Sequence, residues 1–133
     1  FFTEDDNRVY AQCVCDVLRG GDIVLKSKGG AFRWWTYVVD CAMALLCILL
    51  KGGNGEAYNI ANEESNVSIR TLAETVADLA GRKVVFNIPD DASHGNTTPI
   101  TKAVFATDKL EALGWKPITL LKDGLAHTIQ VLL

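Results

Sequence analysis

Arg33 is the residue whose type and setting most directly ask for a chemical explanation. It sits in GAFRWWTYVVD, residues 30–40, among aromatic and β-branched neighbours. A guanidinium in so apolar a setting needs a partner, because an unpaired buried charge is costly. It is permanently charged and presents a planar fork that fits phosphate or carboxylate oxygens. Two partners are open on these grounds: a phosphate-bearing ligand, or a structural ion pair with Asp40 or a loop carboxylate.

Groups that could act on such a ligand are scarce. The sequence has no G-x-S-x-G, P-loop or H-E-x-x-H, and neither G-x-G-x-x-G nor G-x-x-G-x-x-G. GGNG at 52–55 follows a helical pattern and precedes an extended one, the reverse of the order that brings a helix N-terminus to a pyrophosphate, so it reads as a turn. The adjacent carboxylates Asp5-Asp6, Glu63-Glu64 and Asp90-Asp91 fall in polar stretches and read as solvated surface. His94 and His127 have no nucleophile beside them in a recognisable motif and read as surface or boundary residues. Cys13, Cys15, Cys41 and Cys47 form no C-x-x-C pair, so zinc spacing is absent. They lie in apolar helical patterns and read as buried free thiols, which points to a reducing cytoplasm.

The elements that would position Arg33 follow from periodicity and punctuation. Residues 8–18 carry a broad helical stripe (Val9, Cys13, Val17 with Tyr10, Val14) closed by Gly20-Gly21. DIVLKS (22–27) reads as a strand, and FRWWTYVV (32–39) favours extended structure. Asp40 is expected to cap a helix over 41–51 that stops at KGGNG. EAYNIA (56–61) reads as a strand, NEESN as polar loop, and Ser68 as the N-cap of a helix over 69–80 ended by Gly81. KVVFNI (83–88) is a strand and 89–101 a surface loop. Thr107 is expected to cap a short helix ending at Gly114, and Thr119 a last helix with Leu121, Leu125, Ile129 and Leu132 on one face. The result is a mixed α/β (α+β) chain with short strands, about five helices and no internal repeat.

The totals suit one domain over residues 1–133. The residues are 49% hydrophobic and 22% charged, ordinary for a globular protein. A net charge of −3 argues against a nucleic-acid binder, whose footprint is a basic face. The longest apolar run, CAMALLCILL (41–50), is too short to cross a bilayer and suits a buried helix. No signal peptide is visible, and the chain opens on FFTEDD, without Met, as though continuing from upstream sequence.

Four segments, in order, carry a resemblance. GGAFRWWTYVVDCAMALLCIL resembles the G-x-x-x-R-x-(F/W)-x-Y-V-x-D segment of the extended short-chain dehydrogenases/reductases. These are the NAD-dependent epimerases, dehydratases and decarboxylases of nucleotide sugars. DDNRVYAQCVCDVLRGGDIVLKS is similar to their D-G-R-V segment, and GEAYNIANEESNVSIRTLAETVADLAG to their G-x-x-Y-N-(I/V)-(G/A) segment. PITKAVFATDKLEALGWKP with LKDGLAHTIQVL is similar to the closing D-x-x-K-x-x-x-L-G-W-x-P and G-L-x-x-T-I pattern, although Ala106 stands where an Asp is usual.

The resemblance covers the chain but only the family's C-terminal, substrate-binding lobe. It implies that the Rossmann domain lies elsewhere, together with the Tyr-x-x-x-Lys pair that moves the proton while NAD takes a hydride. Tyr10, Tyr37 and Tyr58 are followed four positions on by Val14, Cys41 and Asn62. It also implies that Arg33 contacts the diphosphate of a nucleotide sugar, with Arg8, Lys102, Asn59 and Tyr58 as further substrate-binding positions. Tyr37 and Asp40 are read as orienting the strand-to-helix corner, and Trp34, Trp35 and Trp115 as core. NAD is expected in a full-length parent, bound by the missing domain, and no cofactor in this chain. The expected partners are a nucleotide-diphosphate sugar and the N-terminal Rossmann domain, with no nucleic acid and no membrane. Without that domain an apolar face is exposed, so self-association into a homo-oligomer is expected. A stand-alone sugar-nucleotide binding module, or an interaction domain without ligand, are the competing readings.

Overall fold

The computed structural model describes residues 6–88 and 104–132. Its order is α1 (Val9–Leu18), β1 (Ile23–Leu25), β2 (Phe32–Trp34), α2 (Val38–Lys51), a 3-10 turn (Glu63–Ser65), β3 (Asn66–Ser68), α3 (Ile69–Leu79), β4 (Val84–Phe86), α4 (Asp108–Glu111) and α5 (Leu121–Leu132). The architecture is mixed α/β: five helices around two small sheets among the described residues. β1 runs parallel to β4, in register Ile23↔Val84 to Leu25↔Phe86. β2 runs antiparallel to β3, with Arg33 opposite Val67. No described helix is long and apolar enough to cross a membrane.

The main core follows from the helical stripes. Cys13, Val14 and Val17 of α1 meet Leu72, Ala73 and Val76 of α3, Ile23 and Leu25 of β1, and Leu125 and Ile129 of α5. α3 starts where Ser68 accepts a hydrogen bond from the Thr71 N–H at 3.0 Å and stops at Gly81, whose φ of +63° suits glycine. The β2–β3 ladder continues into the start of α3, because the Arg70 N–H donates to the Gly29 carbonyl at 3.0 Å. A Cβ on Gly29 would lie 2.9 Å from that nitrogen, so glycine is required there. A second, smaller core gathers Ala44 of α2, Leu110 of α4 and Trp115, with Cys47, Ile48, Tyr58 and Ile60 against it.

Several boundaries differ from the sequence expectation. EAYNIA forms no ladder. β2 is met instead by Asn66–Ser68, within the stretch read as loop and cap. A strand exists only where an edge is available to it, and 56–61 carries no regular secondary structure. α2 starts at Val38, so Asp40 falls in its first turn and does not cap it. α5 starts at Leu121, and Thr119 lies outside it. Of the four free thiols only Cys13 is fully buried; Cys15, Cys41 and Cys47 are intermediate. The expected loop over 89–101 and Lys102 lie outside the described residues.

Candidate functional site

Arg33 occupies the middle of β2, and pleat alternation sends its side chain to the sheet face opposite that of Phe32 and Trp34. It is half-buried, and its Nη1 donates to the Phe32 carbonyl at 2.7 Å. Trp34 packs edge-on against Phe105, with ring centroids 5.5 Å apart.

The other expected positions sit in different surroundings. Arg8 is the exposed N-cap residue of α1 and forks onto Asp6, with Nε to Oδ1 at 3.0 Å and Nη2 to Oδ2 at 2.5 Å. The guanidinium holds the Asp6 carboxyl down at about 2. The Tyr58 hydroxyl accepts from the Gly53 N–H at 2.8 Å, and the Lys109 ammonium stands 4.9 Å from its ring centre. Lys109 also pairs with Glu56, which lowers the Glu56 pKa. Asn59 donates from Nδ2 to the Ala106 carbonyl at 3.1 Å, tying 56–61 to the segment before α4. Tyr58 packs against the small core, a structural role beside the expected one.

A cleft of about 370 Å³ opens between the start of α1, the β2–α2 corner and the start of α5. Arg8 and Tyr10, Trp35 and Tyr37, and Thr119 and Gly124 supply its walls in pairs. Of the four expected residues that are described, only Arg8 borders it. Tyr10 and Trp35 lie 5.9 Å apart, and the buried Trp35 indole N–H has no partner among the described residues. The α5 wall approaches closely: a Cβ on Gly124 would lie 2.9 Å from Cδ2 of Tyr37.

That wall is held from two distant places. The Asp40 carboxylate, buried at 3% exposure, accepts from the Thr119 N–H at 2.9 Å. Asn62 donates from Nδ2 to the Thr119 carbonyl at 3.1 Å. Trp115 donates from Nε1 to the Asp40 carbonyl at 3.1 Å. Asp40 thus fixes the corner, as expected, but by gripping the lead-in to α5. Sequence reading missed Thr119, Gly124 and Asn62 as a unit. The available signal was a glycine inside a helical pattern, which costs about 1 kcal/mol unless close packing requires it.

The cleft's aromatic faces, hydroxyls and single guanidinium can bind; none of these is an activated nucleophile paired with a base. His127, on α5, lies with its ring 6.2 Å from that of Tyr37. No group of three or more potential metal ligands occurs among the described residues. Among the described residues no glycine-rich turn of the kind that cradles a dinucleotide leads from a strand into a helix. Here β2 passes into α2 through Trp35-Thr36-Tyr37, and β3 passes directly into α3.

The sequence profile of the NAD dependent epimerase/dehydratase family matches residues 1–61. dTDP-glucose 4,6-dehydratase 1 of Escherichia coli K12 is 28% identical over 125 residues, 88% of this chain and 34% of the relative. UDP-glucuronic acid decarboxylase 5 of Arabidopsis thaliana is 34% identical over 125 residues, 91% of this chain and 34% of the relative. Most of the chain is similar to members of the NAD-dependent epimerase/dehydratase family. Solved structures agree in fold. The UDP-glucose 4-epimerase of Thermotoga maritima, solved with UDP-glucose, superposes with a TM-score of 0.77 at 24% identity, covering 94% of this chain and 39% of that one. The Bordetella bronchiseptica enzyme WbmF, in complex with NADH, superposes with a TM-score of 0.74 at 27% identity, covering 92% and 35%. The chain spans about a third of the length of the curated relatives it matches.

Proposed function

We propose that the chain is the nucleotide-diphosphate-sugar-binding lobe of an NAD-dependent sugar-nucleotide epimerase, dehydratase or decarboxylase, and that it does not catalyse alone. The observation that carries this reading is the similarity to a dTDP-glucose dehydratase and a UDP-glucuronic acid decarboxylase over most of the chain. The sequence meanwhile holds no Tyr-x-x-x-Lys and no dinucleotide turn. Arg33 contacts the diphosphate; Arg8, Lys102, Asn59 and Tyr58 surround the rest of the ligand. The guanidinium's bidentate geometry suits two phosphate oxygens, and β2 holds it on a paired strand rather than a loose loop. NAD and the proton-moving groups belong to a Rossmann domain that completes the site, working in the cytoplasm.

Phosphorus NMR of UDP-glucose or dTDP-glucose, mixed with the chain, tests this. The diphosphate resonances are expected to broaden through weak binding and to sharpen again with Arg33→Ala. Equal broadening by both proteins would remove Arg33 from the site. No turnover with NAD is expected, and turnover belonging to this chain would end the reading. A cleft walled by described residues of this chain alone favours one alternative, a stand-alone binding module. Nanomolar affinity in calorimetry, lost in Arg33→Ala, would establish that alternative in its place.

A further inference from the structure

GGNG at 52–55 plays no part in the proposed ligand site, yet its turn brings together the groups of an intramolecular reaction. The Glu56 N–H donates to the Gly53 carbonyl at 3.2 Å, closing a β-turn with Asn54 and Gly55 at its centre. Gly55 has a φ of +76°, as the third position of a type II turn requires. Asn54 and Gly55 are both exposed. A Cβ on Gly55 would meet nothing within 4 Å, so the space beside its nitrogen is open. The Gly55 N–H donates to no acceptor among the described residues. Residues 53–57 are exposed and include no large apolar side chain, so the turn presents nothing that calls for a cover.

Only here is an asparagine followed by glycine. Asn7, Asn59 and Asn87 are also exposed, but Arg8, Ile60 and Ile88 follow them, and a side chain at that place shields the peptide nitrogen. The Arg8 N–H is also engaged by the Asp6 carboxylate at 3.0 Å, and the Asn59 amide is tied to the Ala106 carbonyl. Asn62 is buried and followed by Glu63; Asn66 is half-buried and followed by Val67.

We propose that Asn54 is a site of spontaneous covalent modification. The Gly55 peptide nitrogen gives its proton to solvent base and attacks Cγ of Asn54. The new C–N bond forms, the Cγ–Nδ2 bond breaks, and ammonia leaves with a proton from solvent. The product is a five-membered succinimide, which water then opens at either carbonyl. Opening at Cγ gives an aspartate. Opening at the main-chain carbonyl gives an isoaspartate, whose main chain runs through Cβ and Cγ. Both carry a negative charge where the amide had none, and the second also lengthens the main chain by a methylene. The turn is pinned through Tyr58, whose hydroxyl accepts from the Gly53 N–H at 2.8 Å and which packs on the smaller core. A longer turn cannot keep both that bond and the Gly53–Glu56 bond, so the isoaspartyl form loosens the smaller core. The reaction is independent of the ligand reading.

Incubation of the intact chain at mildly alkaline pH, followed by tryptic digestion and tandem mass spectrometry, tests this. Peptide 52–70 is expected to gain the mass difference between an amide and an acid, at Asn54. Reversed-phase chromatography should resolve it into aspartyl and isoaspartyl forms. One exposed hydrogen bond closes the turn, so the folded chain should convert within about tenfold of the rate of the free 52–70 peptide. Asn54→Gln should lose the conversion over the same period, since glutamine would have to close a six-membered ring. The separated isoaspartyl chain should melt below Asn54→Asp, which carries the same charge on an unlengthened main chain. No conversion at Asn54, a rate below that tenfold bound, or a rate no faster than at Asn7, Asn59 or Asn87, overturns the proposal. Equal melting temperatures for the isoaspartyl chain and Asn54→Asp overturn the loosening of the smaller core.

Discussion

Replacing Asp40 with alanine should cost about 2 kcal/mol of folding stability. The carboxylate is 3% exposed and takes the Thr119 N–H at 2.9 Å. A hydrogen bond to a charged group contributes roughly 1.5–3 kcal/mol net, and its loss leaves a part-buried N–H without an acceptor. Relief of the buried charge offsets part of this, and the vacated volume adds to it. For a chain of this size about 2 kcal/mol corresponds to a fall in Tm of roughly 6–10 °C. Asp40→Asn keeps an oxygen in place and should cost under about 1 kcal/mol. Urea denaturation at one fixed protein concentration gives both values. An Asp40→Ala variant within about 0.5 kcal/mol of its parent, the range of an indifferent surface change, would refute the reasoning. So would an asparagine variant as damaged as the alanine one.

Leu72→Ala, at a fully buried position of the main core, should lose about 3 kcal/mol in the same denaturation assay. Gly124→Ala should destabilise by about 1 kcal/mol despite alanine's better helix propensity, because its Cβ meets the Tyr37 ring at 2.9 Å; a stabilised variant would show that the ring yields freely. Burial pushes the Cys13 thiol from 9.0 to about 11, so the unfolded chain ionises first. Stability from this group is therefore present below pH 9.0 and is lost as pH rises toward 11, a slope that Cys13→Ala should abolish in alkaline denaturation. Ser68→Ala should cost about 1 kcal/mol through loss of the α3 N-cap.

The helices were legible because their signals are local. Leu72 and Val76 repeat at helical spacing, Ser68 caps, and Gly81 stops, all within one window. β3 was not, since Asn66-Val67-Ser68 has no strand composition of its own and is ordered by pairing with residues 32–34. EAYNIA has the composition and lacks the neighbour. The arginine on β2 could be singled out because a charge among aromatics is conspicuous in one dimension. The cleft could not: its Thr119 wall is set by Asp40 and Asn62, 79 and 57 positions away, and no local pattern encodes which peptide a buried carboxylate will find.

The division of the interior into two cores bears on how the molecule opens. The larger one ties α1, α3 and α5 together through eleven buried residues, whereas the smaller rests on Ala44, Leu110 and Trp115. Opening free energies track buried apolar contact, so the two regions should exchange their amide hydrogens by different routes. Trp115 meets Asp40 across 75 positions, a closure late to form and early to be lost. Amides of residues 107–115 should exchange through sub-global opening of the α2–α4 corner, while those in the middle of α3 wait for global unfolding.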